Sequence, residues 1–132
     1  MTARRFITVV RVALALGLLI DAGVGFIAVF AQPLIQPLFE LPVKDPAMTS
    51  IAGGELIVAA CIYALALRDP ARNRPLLWLC ALDQTIGVVI PAVEIARGHA
   101  PGTFKTLAPM PFQLALVAIY IVAARRRGSP AP

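Results

Sequence analysis

The stretch IAGGELIVAACIYALALRD, residues 51–69, decides the fold of this chain. Its apolar run is about as long as the ~20 helical residues that cross a bilayer core of ~30 Å. One carboxylate, Glu55, lies inside the run with no basic residue beside it. The stretch therefore predicts a membrane-spanning helix and raises the question of what an acid does in its middle.

Three further apolar blocks of similar length flank this one, and 59% of the 132 residues are hydrophobic. A soluble domain is nearer half apolar. Four prolines within residues 31–46 exclude one continuous helix there, because each removes a backbone donor. We predict an all-α, four-transmembrane-helix bundle, a single integral membrane domain over residues 1–132, with helices at about 6–31, 47–67, 75–96 and 107–125 and a disordered tail at 126–132.

The basic residues are divided unevenly between the two sides of this predicted bundle. Nine of the twelve Lys and Arg residues fall at the two termini and in the loop at 68–74, and three, Lys44, Arg97 and Lys105, fall on the other side. Cytoplasmic loops carry the positive excess, so both termini are expected in the cytoplasm. The chain is then a multi-pass protein of the inner (plasma) membrane. A net charge of +5 placed at helix ends also argues against nucleic acid as a partner.

Three acids and one amide fall at middle depths of the predicted helices. Asp21, Glu55 and Asp83 lie roughly 14, 18 and 10 Å from the inner face, and Gln113 roughly 16 Å. A charge at mid-bilayer costs about 2.5–3.5 kcal/mol on insertion scales, and no Lys, Arg or His occurs at these depths. Each way to avoid that cost, a bound proton, a hydrated cavity or a cationic ligand, amounts to a site.

We interpret these groups as one inward-facing polar cluster. Glu55 is expected to be the most important acid and Asp83 the second, whereas Asp21, between Gly17 and Gly25, suits a packing staple. The acid/base catalytic candidates are Glu55, Asp83 and Asp21, and the ligand-binding candidates are Gln113, Tyr63, Glu94, Gln84 and Trp78. Trp78 is also expected to anchor its helix at the interface. The two cysteines show no C-x-x-C spacing, so we expect no metal site and no cofactor.

The segment AGGELIVAACIYALALRDPARNRPLLWLCALDQTIG, residues 52–87, resembles the small four-helix bacterial membrane proteins of the DoxX-like group. The shared features are a Gly-Gly-acid start of the second helix, the inner turn ALRDPARNRPLL, and an apolar third helix with an embedded acid. The resemblance covers about residues 10–96. It implies a four-helix membrane fold in a bacterium and transfers no functional residue.

Three functions fit these observations. An acid-lined intramembrane pocket would bind a small lipophilic molecule and transform it by acid/base chemistry, because carboxyls in different environments divide such roles. Alternatively, the chain is an accessory subunit of another membrane protein, or a proton-coupled small transporter that acts as a dimer. The expected partners are membrane lipid, a lipophilic ligand, and either a second copy or another membrane protein. Whether the protein is an enzyme stays open.

Overall fold

The computed structural model describes residues 3–41 and 43–126, and every secondary-structure element in these ranges is helical. In chain order they are α1 (Ala3–Phe30), a 3₁₀ turn (Gln32–Leu34), α2 (Ile35–Phe39), α3 (Pro46–Arg68), α4 (Arg74–Ala96), α5 (Phe104–Leu107) and α6 (Pro109–Arg125). The all-helical class is therefore confirmed. The predicted tail lies, from residue 127 onward, outside the described residues.

Within residues 3–41 and 43–126, four helical segments are long and apolar enough to cross a membrane. They are α1, α3, α4 and the segment in which α5 leads into α6, and the shortest of them has 22 residues. At ~1.5 Å per residue, 22 residues reach about 33 Å, which exceeds the ~30 Å of a bilayer core. This is the architecture of a multi-pass membrane protein.

Local signals fix the start of α3. One carboxylate oxygen of Asp45 accepts hydrogen bonds from the backbone N–H groups of Ala47 (2.9 Å) and Met48 (3.1 Å). Pro46 takes the first helical position, where its missing N–H is not needed. Upstream, α2 ends at Phe39, and the next residue, Glu40, has a left-handed φ of 57°. The region between α1 and α3 thus contains short helical pieces and no continuous helix.

The long helices pack most closely as two antiparallel pairs, α1 with α3 and α4 with α6. In the first pair, Gly25 and Gly53 lie in direct contact across the helix–helix interface: a Cβ atom on Gly25 would be 2.7 Å from the Gly53 carbonyl oxygen. Glycine at both positions lets the two backbones approach. In the second pair, Gly87 leaves room for Gln113, whose Nε2 would lie 2.8 Å from a Cβ atom at position 87.

The buried core joins the two pairs near one end of the helices. We term this the terminal end, because the start of α1, the α3–α4 turn and the end of α6 lie there; the other end is the loop end. The large side chains of the core are Val10, Leu14, Tyr63, Leu77, Leu116 and Tyr120. Beyond Gln84 in α4 and before Leu116 in α6, no described residue is buried. The two pairs are therefore held together mainly at the terminal end.

Candidate functional site

A polar network lies at the edge of the core, where α1, α3 and α4 meet. The Tyr63 hydroxyl lies 2.9 Å from Asp83 Oδ2, and Gln84 Nε2 lies 2.9 Å from that hydroxyl and 3.2 Å from Asp83 Oδ2. Asp21 lies beside this network on α1, close enough to Asp83 for the two carboxyl groups to interact. We term these four residues, Asp21, Tyr63, Asp83 and Gln84, the acid centre.

The donors of the acid centre converge on Asp83. Gln84 Nε2 carries two protons and directs them to the Tyr63 hydroxyl and to Asp83 Oδ2. The single hydroxyl proton of Tyr63 has two acceptors in reach, Asp83 Oδ2 and, at 3.1 Å, the Cys80 carbonyl. A carboxylate attracts a donor more strongly than a neutral carbonyl does. Asp83 Oδ2 thus has two donors within hydrogen-bonding distance.

Asp21 is the second carboxyl of the pair and is only 4% exposed. An ionised carboxylate accepts hydrogen bonds and donates none. A hydrogen bond between Asp21 and Asp83 therefore requires a proton on one of them, and Asp21 is the better carrier because Asp83 is already served by two donors. The pair is a place where a proton can be held within the membrane-crossing part of the chain.

Two acceptor atoms of the acid centre have no partner among the described residues, namely Asp21 Oδ2 and Gln84 Oε1. Both belong to buried side chains, and Gln84 is 1% exposed. A buried acceptor without a donor is costly, roughly 1–3 kcal/mol each. Each of these two oxygen atoms can therefore accept a hydrogen bond from a further donor, such as a hydroxyl, an ammonium group or water.

Two tyrosines and one glycine hold the acid centre in place. A Cβ atom on Gly17 would collide with the Tyr63 ring and would lie 3.0 Å from the Tyr120 hydroxyl. The two rings meet edge to face, 5.9 Å apart, and the Tyr120 hydroxyl donates to the Ala13 carbonyl at 2.7 Å. The sequence interpretation missed Tyr120; its signal was a residue with a polar tip near the end of an apolar helix, which needs a partner when buried.

The interpretation of Glu55 as an inward-facing residue is wrong. Gly53, two positions earlier, is buried against α1, and Glu55 is exposed. Two residues at ~100° each turn the helix by ~200°, so a side chain at position 55 points to the opposite side of α3. In the structure Gly53 packs, whereas Gly54 has nothing within 4 Å of an added Cβ atom.

The other predicted site residues are also apart from the acid centre. Gln113 is half-buried against Gly87, between α4 and α6. Glu94 lies at the loop end and pairs with Arg97 (3.5 Å) and with His99 Nδ1 (3.0 Å). Trp78 lies at the terminal end, with the Arg125 guanidinium 5.8 Å from its ring centroid. Of the eight predicted residues, the structure brings together Asp21, Tyr63, Asp83 and Gln84.

An apolar groove of about 260 Å³ opens between α1 and α6. Its walls are aliphatic and aromatic side chains, among them Val12, Leu16, Phe112, Leu116 and Ile119. Within residues 3–41 and 43–126, no three or more His, Cys, Asp or Glu side chains come together as a metal-ligand set.

No protein-family model matches the chain, and neither a curated protein nor a solved structure matches it. The functional argument therefore depends on the geometry of the chain itself.

Proposed function

We propose that this chain is a four-helix bundle of the bacterial inner membrane, with both termini in the cytoplasm, whose acid centre binds a small lipophilic molecule through a hydrogen-bond donor. The nine-to-three division of basic residues supports the orientation. The resemblance to the DoxX-like group supports the bacterial source and stays a prediction.

The observation that carries the proposal is the pair of buried acceptors without a donor, Asp21 Oδ2 and Gln84 Oε1. Both lie in helices that are long and apolar enough to be within the bilayer. Lipid tails offer no donor there. A lipophilic molecule with one hydroxyl or amine satisfies these acceptors and keeps its apolar part among aliphatic side chains.

The helix packing supports a route by which a ligand reaches the acid centre from the loop end of the helices. The core closes the terminal end, whereas no described residue of α4 beyond Gln84 or of α6 before Leu116 is buried. A ligand can thus approach between the helix pairs without disrupting the core. The acid centre then forms the floor of the pocket.

The reaction type that the carboxyl groups of the acid centre can support is proton transfer to and from a bound molecule. In this proposal Asp21 carries a proton beside Asp83, and Tyr63 and Gln84 donate hydrogen bonds to the Asp83 carboxylate. A carboxyl that holds a proton next to one that lacks it can act as acid and base on the same bound molecule. Such a centre suits isomerisation or another reaction that moves a proton.

The test is mass spectrometry of lipophilic molecules that co-purify with the protein in mild detergent. We expect a molecule with a hydroxyl or amine that is retained by the wild type and lost, at least tenfold, from the Asp21→Leu and Gln84→Leu variants, because leucine removes the acceptor oxygen that an amide would keep. Glu55→Leu is the matched comparison, because it removes an acid at a similar depth on an exposed face. Loss of the molecule from Glu55→Leu, with full occupancy in Asp21→Leu, would refute the assignment to the acid centre.

Proton-coupled transport is the second candidate, and the carboxyl pair favours it, since intramembrane acids serve as proton relays. The two functions differ in what they need. A binding or catalytic pocket works in detergent, whereas a transporter moves solute only across a sealed bilayer with a proton gradient.

A reporter fused after Arg127 tests the proposed cytoplasmic position of the C-terminus, and a periplasmic signal would contradict it.

A further inference from the structure

Glu55 lies near the middle of α3, nine residues after Pro46 and thirteen before Arg68, and it is exposed. The three salt bridges among the described residues involve Glu40 and Glu94, so none includes Glu55. At ~1.5 Å per residue, this carboxyl lies about 13 Å or more from both ends of the helix. It is thus too deep to reach the membrane surface.

The surface around Glu55 is otherwise apolar. Together with Glu55, the residues Met48, Ile51, Val58 and Leu65 are exposed at spacings of three, four and seven residues along the same side of α3, and Val58 is 62% exposed. Residues at such spacings line one helix face. We term this surface the Glu55 face. Other exposed helix faces of the described chain are also apolar, but the Glu55 face is distinguished by an acid at mid-depth.

Lipid alone does not suit this face. Acyl chains neither donate nor accept a hydrogen bond, and an acid exposed to them costs several kcal/mol if charged. Intramembrane acids therefore almost always face protein or a cavity. The α1 contact is on the opposite side of α3, at Gly53, so residues 3–41 and 43–126 do not cover this face.

We propose that the Glu55 face is the interface of a two-fold symmetric dimer, in which Glu55 pairs with Glu55 of a second copy. When the two-fold axis runs along the membrane normal, each residue meets its counterpart at the same depth, and the interface is self-complementary. A carboxyl pair that holds a proton is self-complementary too, because one group donates and the other accepts. In such a dimer, Glu55 has a hydrogen-bond partner without a basic residue from another protein.

The space beside Glu55 fits a second helix. Gly54 has nothing within 4 Å of an added Cβ atom, so a neighbouring backbone can come close at this point. A single polar residue in an apolar helix seam also fixes the register of the two helices, since any shift leaves both polar groups unpaired. Glu55 would therefore set the alignment of the dimer, separately from the acid centre.

The experiment measures dimer formation in liposomes by single-molecule photobleaching over a range of protein-to-lipid ratios. We expect wild-type dimers, and a dissociation constant about 3- to 16-fold higher for Glu55→Leu, as the loss of one intramembrane hydrogen bond implies. Glu55→Gln should remain dimeric, because an amide pair also donates and accepts. Equal dimerisation of Glu55→Leu and wild type, or a monomeric wild type at every ratio, would overturn the proposal.

Cross-linking tests the position of the interface independently. In a Cys61→Ala background, Val58→Cys should form a disulfide-linked dimer, whereas Leu19→Cys should not. Leu19 is the matched control because it is 66% exposed at a middle depth on α1, on the side away from α3. Cross-linking at position 19 and not at 58 would overturn the proposal, as would a different protein attached at position 58. The comparison of cross-linking at positions 58 and 19 tests the proposed dimer interface even if Glu55→Leu fails to fold.

Discussion

Asp21 and Glu55 lie on one tightly packed helix pair, at similar depths, yet the first is buried and the second is exposed. Asp21 is one turn from Gly17 and Gly25, on the side of α1 that faces α3. Glu55 is half a turn from Gly53, on the side of α3 that faces away. Depth follows from position in an apolar run, but the direction of a side chain follows from what packs against its helix.

The two acids therefore satisfy their polar groups in different ways. Asp21 lies beside Asp83 within its own chain, and its Oδ2 atom has no hydrogen-bond partner among the described residues. Glu55 is exposed and forms no salt bridge among the described residues, and its face is proposed to be covered by a second copy. We thus propose chemistry at the buried acid and assembly at the exposed acid, the reverse of the ranking expected from the sequence.

The largest effect that separates the two surfaces is expected at the glycines of α1. Gly17→Ala should lower the free energy of unfolding by about 1–3 kcal/mol, because the added Cβ atom meets the Tyr63 and Tyr120 side chains. Gly23→Ala is the matched control: nothing lies within 4 Å of its added Cβ atom, so it should be neutral or stabilising by up to ~1 kcal/mol. Unfolding by sodium dodecyl sulfate in mixed micelles measures both, and equal losses would contradict the buried placement of Tyr63.

Effects of equal or smaller size are expected from removing single tyrosine hydroxyls. Tyr63→Phe should cost about 1–3 kcal/mol, because it takes a donor from Asp83 and an acceptor from Gln84 inside the core. Tyr120→Phe should cost about 0.5–1.5 kcal/mol, since the Ala13 carbonyl that it leaves lies within α1 and keeps a helical partner. The same unfolding assay compares them, and a larger loss for Tyr120→Phe would show that the acid centre contributes less than the tyrosine contact.

A proton shared by Asp21 and Asp83 is expected to be visible in infrared spectra, and its removal is expected to change the free energy of unfolding only slightly. In a Glu55→Gln background, infrared spectra should still show one protonated-carboxyl band, from the Asp21–Asp83 pair. Adding Asp21→Asn should remove that band and change the unfolding free energy by less than ~1 kcal/mol, because an amide can donate to Asp83 in place of the carboxyl. A band that survives both substitutions would exclude a proton shared by this pair.

The smallest effect is expected at an acid outside the membrane-crossing helices, Glu40. Hydrogen bonding from Thr103, followed by the hydrogen bond and charge of Lys105, lowers the pKa of Glu40 below its ordinary value of 4.5. Lys105 also donates to the Pro37 carbonyl at 3.0 Å and so ties the two loops together. Stability from Glu40 is present above pH 4.5 and is lost as the pH falls through the lowered pKa. Wild type should show a slight drop in melting temperature in that range, and Glu40→Gln should not.

The fold class could be predicted from the sequence because the bilayer imposes a length. Apolar runs of about 20 residues and the breakers between them locate helix ends without any tertiary information. Helix α3 begins at Pro46, α4 begins one residue before Pro75, and the capping of α3 by Asp45 is likewise local. These features depend on chemistry within a few neighbouring residues.

The acid centre could be predicted only in part. Depth calculations found Asp21 and Asp83, because depth depends on chain position alone. They also selected Glu55 and Gln113, which lie at similar depths but on other helix faces. Glycine was an ambiguous signal, since Gly53 and Gly54 are adjacent and only one of them contacts another helix.

The sequence by itself determined four apolar helices, their approximate ends and the depths of their acids, since each follows from local composition and a fixed rise per residue. Only the tertiary structure decided that Asp21 meets Asp83, that Tyr63 and Gln84 serve that pair, and that Glu55 is exposed. The physical reason is that apolar residues surround all four helices, so hydropathy does not distinguish a lipid-facing side from a protein-facing one. Helix rotation is instead set by close packing, here by Gly17 against Tyr63 and Gly25 against Gly53.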